Sequence, residues 1–266
     1  MAKAKKLRSA LLRLSSIAGI GLLIACSRPT SDLDHLTRAK EAQDQGDLRT
    51  SMIELKNALQ KNPSNVEARR LLGEISAKLG DGPTAEKELR RAIELGTARE
   101  AVLLSLAEAL QLQGKNQAIL DEITLPPSLP PQSQATLAAY RGDAWLALNK
   151  LDQARREYEE ALRLDPDSPR GKLGLAYLAV RENQIDQALK LLDETLKAAP
   201  EEAKAWSFKA DLHKQRGELE EAEAAYSQAI EHRRQNALDR ANRALVRIER
   251  QKLEEAEKDL ETLKKT

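Results

Sequence analysis

The sequence is poor in the residues that dense single cores, redox chemistry and metal chemistry depend on. It has one cysteine, Cys26, so no disulfide can form within the chain. Aromatic residues make up only 3% and include a single Phe, whereas one large globular core leans on several aromatic side chains. The three histidines, His35, His213 and His232, are far apart and lack HExxH or His/Cys spacing, which leaves no metal site. No G-x-S-x-G elbow positions a nucleophilic serine. Gly114-Lys115 lacks the upstream glycine and the following Ser or Thr of a phosphate-binding loop. Acidic pairs such as Glu159-Glu160 and Glu220-Glu221 read as solvated helix faces. Catalytic residues and cofactor motifs are therefore missing, and the sequence reads as a binding protein with no enzymatic activity and no small-molecule substrate.

A one-sided charge is missing as well. The formal net charge is +1, but residues 1–25 hold five basic residues and no acidic one, so the remainder stands near −4. Nucleic acid is held through clustered Lys and Arg that release counterions, and an acidic body with interspersed signs excludes that partner. What is abundant is Leu, Ala, Glu, Lys, Arg and Gln, the strongest helix formers.

At the N-terminus, residues 1–10 are basic and Leu11 to Ala25 mainly apolar, interrupted by Arg13, Ser15 and Ser16. The run is shorter than the roughly 20 residues of a comfortable membrane span, and its flanks are those of a secretory signal. It ends in Leu23-Ile24-Ala25-Cys26, which resembles the lipobox of bacterial lipoproteins. The resemblance implies cleavage between Ala25 and Cys26, with a diacylglyceryl thioether on the Cys26 thiol and a further acyl chain on its freed amine. Several acyl chains give stable anchoring where one does not. The other reading keeps Cys26 as a small buried residue of an uncleaved anchor. Ser27 stands where an Asp would imply inner-membrane retention, so the expected location is the periplasmic face of a diderm outer membrane. On this reading residues 1–25 are a signal peptide and 26–31 a lipidated tether.

Periodicity sets the expected fold. Pro166 and Pro200 are 34 residues apart, and Pro63 precedes Pro166 by three such periods plus one residue. In a 34-residue frame on these prolines, the eighth position reads Ala39, Gly73, Ala107, Gly142, Ala176, Ala210, Ala244. The twentieth reads Ser51, Ala85, Ala154, Ala188, Ala222, Ala256, and the twenty-fourth Leu55, Leu89, Tyr158, Leu192, Tyr226, Leu260. Small residues let paired helices approach closely, proline ends the second helix of each pair, and Gly46, Gly80, Gly114 and Gly217 mark the turns between the pair. The pattern resembles the tetratricopeptide (TPR) repeat. It implies an all-α, right-handed superhelical solenoid of about seven helix-turn-helix repeats, kinked at a Pro-rich strut. The third frame departs, with Ile119 at its twentieth position and Pro126-Pro127-Ser128-Leu129-Pro130-Pro131 cutting its second helix short. The division expected is repeats 1–3 over 32–125, an extended strut over 126–132, and repeats 4–7 over 133–266. The charged last helix (Glu254, Glu255, Glu257, Lys258, Asp259) reads either as its own cap or as one turn of a longer array.

In such a solenoid the inner wall is built from positions 2, 5, 9 and 12 of the first helix of each pair. In repeats three to five these include Leu104, Ala139, Leu146, Leu173, Tyr177 and Val180, a candidate groove for an extended or helical segment of a partner protein. Elsewhere they are charged, as at Arg70, Glu74, Lys204, Asp211 and Lys214.

Three segments narrow the resemblance: Gly46-Asp47-Leu48 through Ile53-Glu54-Leu55 to Asn62-Pro63; Glu67 to Glu74 with Ala85 to Ala92; and Leu137 to Leu148. Together with the lipobox they are similar to the TPR-repeat lipoprotein of the PEP-CTERM/exosortase system. That family is tied to exopolysaccharide production and protein sorting, which implies envelope-protein partners. This chain matches the N-terminal portion of its longer members. A pilotin-like or outer-membrane assembly lipoprotein is the alternative that length and repeat count also suit.

Overall fold

The computed structural model describes residues 31–233 and 236–264. Among them every regular element is helical, and the fourteen α-helices pair into seven hairpins. The chain divides into two compact units, one ending at Pro63 and one beginning at Ser64.

The first unit is the hairpin of α1 (Asp32–Asp44) and α2 (Leu48–Lys61). Ser31 caps α1 with a reciprocal pair: its hydroxyl accepts from Asp34 N at 3.1 Å, and Asp34 accepts from Ser31 N at 2.9 Å. Two orphan donors at the helix start are thereby satisfied. Inside the hairpin Ala39 and Ser51, the small residues of the eighth and twentieth positions, are both fully buried. Ser51 Oγ donates to the Ala39 carbonyl at 2.7 Å, a bond only small side chains at a close crossing permit.

The second unit contains six hairpins in chain order: α3 (Val66–Lys78) with α4 (Gly82–Glu94), α5 (Leu103–Leu112) with α6 (Asn116–Glu122), α7 (Pro131–Ala147) with α8 (Leu151–Leu164), α9 (Pro169–Arg181) with α10 (Ile185–Ala198), α11 (Ala203–Gln215) with α12 (Leu219–His232), and α13 (Ala237–Glu249) with α14 (Leu253–Leu263). Each hairpin packs on the next, so the six form a solenoid. Before Pro63, Pro166 and Pro200 the chain leaves its helix the same way. Asn62, Asp165 and Ala199 take extended backbone with φ of −136°, −142° and −134°, because a residue before proline is pushed out of the helical region.

The turns show a device the glycines only partly announced. Gly46, Gly80, Gly114, Asn149, Asn183, Gly217 and Gln251 all have positive φ, one per hairpin at the frame spacing. Glycine adopts this left-handed conformation without cost and asparagine tolerates it, but Gln251 does not suit it.

Leu106, Leu110, Ile119, Ile123 and Leu137 form a fully buried cluster around α5–α7, and Leu192 with Phe208 and Leu212 forms another around α9–α11. Between them Tyr158 is fully buried. A Cβ on Gly142 would lie 2.5 Å from Tyr158 Cε1, and one on Gly174 would run into the same ring. Tyr158 therefore fits only because glycine stands on both sides. Leu260, its counterpart in the last hairpin, is 43% exposed.

The proline segment differs from the extended strut expected over 126–132. Leu129 N donates to the Pro126 carbonyl at 3.0 Å, closing a turn, and Pro131 already begins α7. Proline fits both places: its fixed φ suits the second residue of a turn, and the first turn of a helix needs no N–H from it. Leu125 and Leu129 on either side of the turn pack onto the α5–α7 cluster. The short helix α6 is closed off by Arg141, whose Nη1 donates to the carbonyls of Ile123 at 2.9 Å and Leu120 at 3.3 Å.

Candidate functional site

The inward positions of α5, α7, α9 and α11 enclose a cavity of about 440 Å³. Leu146, Leu173 and Gly174 make it apolar, and Gln111, Asp143, Arg170, Glu202 and Lys204 bring polar atoms to it. Tyr177 stands at its edge, 41% exposed, stacked on Phe208 with centroids 4.1 Å apart and planes inclined by 16°. The stack on buried Phe208 holds the Tyr177 ring in place at the cavity edge.

The polar part is a closed network around Asp143. Its carboxylate accepts from Gln111 Nε2 at 2.7 Å and from Tyr158 Oη at 2.8 Å, and pairs with Arg170. Arg170 Nη1 also donates to Gln111 Oε1 at 3.2 Å, and its guanidinium lies 4.0 Å from the centre of the Tyr140 ring. Burial works against the Arg170 charge, but Tyr140, Asp143 and Glu108 more than offset it, and its pKa is raised. Burial pushes the Tyr140 hydroxyl up to about 12. Burial, with the Asp143 charge and hydrogen bond, pushes Tyr158 up as well. Burial and the charges of Asp143 and Asp211 do the same to Tyr177. Every group so shifted is held in its ordinary neutral-pH state. This arrangement fixes shape and charge and suits binding rather than proton transfer.

The structure brings three of the six inner-wall candidates together. Leu146, Leu173 and Tyr177 line the cavity. Leu173 is only 9% exposed and belongs equally to the α9–α11 core, so a charge placed there would damage the fold. Leu104 lies outside the cavity, 36% exposed on α5. Val180 is half-buried against the α9–α11 cluster. Ala139 is fully buried with Ala135, Ala138 and Tyr158, and this corrects its placement on the groove surface: a methyl group there lies beneath its larger neighbours. Gln111, Asp143 and Arg170 occupy the same inward positions of the repeat, but their polarity hides them from an apolar pattern. Cys26 and Ala25 lie outside the described residues.

His35 and His213 each face one carboxylate, Glu54 and Glu218, at 2.6 Å. Among the described residues no three His, Cys, Asp or Glu side chains are grouped to hold a metal ion, and no helix is long and apolar enough to cross a membrane.

Residues 30–171 match the tetratricopeptide repeat-like domain, and residues 146–212 and 203–236 each match a tetratricopeptide repeat. Human tetratricopeptide repeat protein 7A is 34% identical over 93 residues, which is 35% of this chain but only 11% of that protein. Among solved structures, a tetratricopeptide repeat protein from Parabacteroides merdae ATCC 43184 superposes with a TM-score of 0.61 at 20% identity, over 88% of this chain and 92% of that one. Pseudomonas aeruginosa pilF superposes with a TM-score of 0.54 at 20% identity, over 77% of this chain and 93% of that one.

Proposed function

The chain belongs to the tetratricopeptide repeat family, and from that premise we propose that it is a protein-interaction scaffold of the bacterial envelope, anchored through Cys26 and gripping partner segments in the groove of α5, α7, α9 and α11. Proteins built of these repeats are generally scaffolds without enzymatic activity. The observation that carries the groove is the exposed Tyr177 ring, stacked on buried Phe208, beside an apolar cavity at which Asp143 and Arg170 are already paired with each other. Aromatic anchors over a preformed pocket are where binding energy concentrates. The anchor rests on Leu23-Ile24-Ala25-Cys26 and on Ser27 after it, which favour the periplasmic face of an outer membrane.

The segments similar to the PEP-CTERM/exosortase lipoprotein favour a role in exopolysaccharide production or sorting of envelope proteins. The fold shared with pilF is compatible with the second reading, a pilotin-like or outer-membrane assembly lipoprotein. Neighbouring exosortase and polysaccharide genes support the first, and neighbouring pilus or secretin genes the second.

Two experiments test the proposal. Cys26→Ala should leave the protein folded and move it from the membrane to the soluble fraction; a variant that still sediments with membranes returns the uncleaved anchor. A photo-crosslinking residue at position 177, but not at 155 on α8, should trap a defined partner in cells. Equal trapping at both positions overturns the groove.

A further inference from the structure

We infer that this groove selects its partner segment by charge order: a basic side chain beside Glu108, an apolar or aromatic side chain against Tyr177 and Leu146, and an acidic side chain at Lys204. The inference rests on the groove reading above and goes further by fixing the chemistry of what enters.

The charges around the cavity are not equivalent. Asp143 and Arg170 satisfy each other within the network already described. Glu108 and Lys204 form no ion pair and no side-chain hydrogen bond among the described residues. Glu108 is half-buried on α5, one turn before the cavity-lining Gln111, and close enough to act electrostatically on Arg170 and Tyr140. Lys204 is exposed on α11 and lines the cavity from its other end. Glu202, which also reaches the cavity, turns back to its own helix start and accepts from Lys204 N at 3.3 Å. Because the hairpins stack in chain order, the two charges belong to the helices that bound the apolar floor at its two ends, Glu108 to α5 and Lys204 to α11.

A half-buried carboxylate that feels Arg170 only at a distance, Arg170 being paired directly with Asp143, carries a desolvation cost that an incoming cation reduces. Charges placed so fix the register and direction of a bound segment more than they add raw affinity. The anchor between them is marked by composition as well: all seven aromatic residues of the chain fall within residues 140–226, that is, in α7 to α12. An extended segment laid from α5 towards α11 therefore meets an acid, an aromatic shelf and a base in that order.

The test is selection of random dodecapeptides displayed on phage by the full chain, by the charge-swapped variant Glu108→Lys/Lys204→Glu, and by Tyr177→Glu, each verified as folded by its helical circular dichroism and melting. The full chain should enrich peptides with an apolar or aromatic residue between one basic and one acidic residue in fixed order. The charge-swapped variant should enrich the reversed order and bind the first set at least about tenfold more weakly, because like charges then face each other across the interface. Tyr177→Glu should lose both. Peptides that need Tyr177 but show no charge order, or are bound alike by the swapped variant, overturn the inference and leave the groove standing. Peptides unaffected by Tyr177→Glu overturn both. Failure to enrich any peptide overturns the inference.

Discussion

The Tyr158 hydroxyl donates to Asp143 at 2.8 Å, joining a fully buried ring of the core to the polar rim of the groove. Asp143 in turn holds Gln111 and Arg170, so one phenol in the second helix of a repeat fixes side chains from three first helices: α5, α7 and α9. The same arrangement recurs two repeats later, where the Tyr226 hydroxyl donates to Asp211. Where leucine takes the twenty-fourth position, as at Leu89 and Leu192, no such link exists.

Tyr158→Phe keeps the ring and removes the donor. A hydrogen bond to a charged acceptor is worth about 1.5–3 kcal/mol, and Asp143 retains two other donors, so we expect a loss towards the lower figure. Urea unfolding measures it, and a change below about 0.5 kcal/mol would show that the bond is not part of what holds the repeat.

Gly174→Ala should be worse than its helix propensity suggests. Alanine normally gains about 1 kcal/mol over glycine inside a helix, but here its Cβ would run into Cε1, Cδ1 and Cζ of Tyr158. Overpacking a tight core costs about 1–3 kcal/mol, so the net effect is destabilisation. Gly171→Ala is the matched control three residues earlier, since its Cβ would meet the flexible Leu162 Cδ2 at 3.1 Å. If Gly174→Ala melts no lower than Gly171→Ala, the glycine sandwich around Tyr158 is not a constraint.

Much of the repeat was readable because its signals are local. Small residues at positions eight and twenty, glycine at turns and proline after helices act through backbone geometry, and periodicity exposes them. The groove was readable only in part. Leu146 and Tyr177 announce themselves as apolar residues at inward positions, whereas Asp143 and Arg170 look like solvated charges until the chain brings them to each other and to Tyr140. Ala139 shares the inward frame of Leu173, but only packing reveals that it lies under its neighbours. The turn at Pro126–Leu129 was hidden because a proline run fits an extended strand and a tight turn equally well; the burial of Leu125 and Leu129 decides between them.

Gln251 offers a gain rather than a loss. Its φ of +61° is the conformation that Gly46, Gly80, Gly114 and Gly217 supply elsewhere. A residue other than glycine, asparagine or aspartate pays about 1 kcal/mol there. Gln251→Gly should raise the stability of the last hairpin by roughly 0.5–1 kcal/mol, less the entropy of a freer unfolded chain. Amide hydrogen exchange in α13 and α14 reads the effect locally, and faster exchange in the variant would contradict it.

Alkaline unfolding should depend on Tyr140. Its ring is 5% exposed, and burial pushes its hydroxyl from 10.0 to about 12, with the Arg170 cation pulling the other way. A folded-state pKa above the unfolded one means that the folded protein keeps the proton longer. The contribution is therefore fully present below about pH 10 and is lost as pH rises from about 10 to about 12, to a limit of about 2–3 kcal/mol. Tyr140→Phe removes the titrating group but keeps the ring under Arg170. It should match the parent protein at pH 7 and lose less stability between about pH 9 and pH 11.5, as measured by urea unfolding. Parallel pH profiles for the two proteins would mean that Tyr140 titrates as freely in the fold as in the open chain.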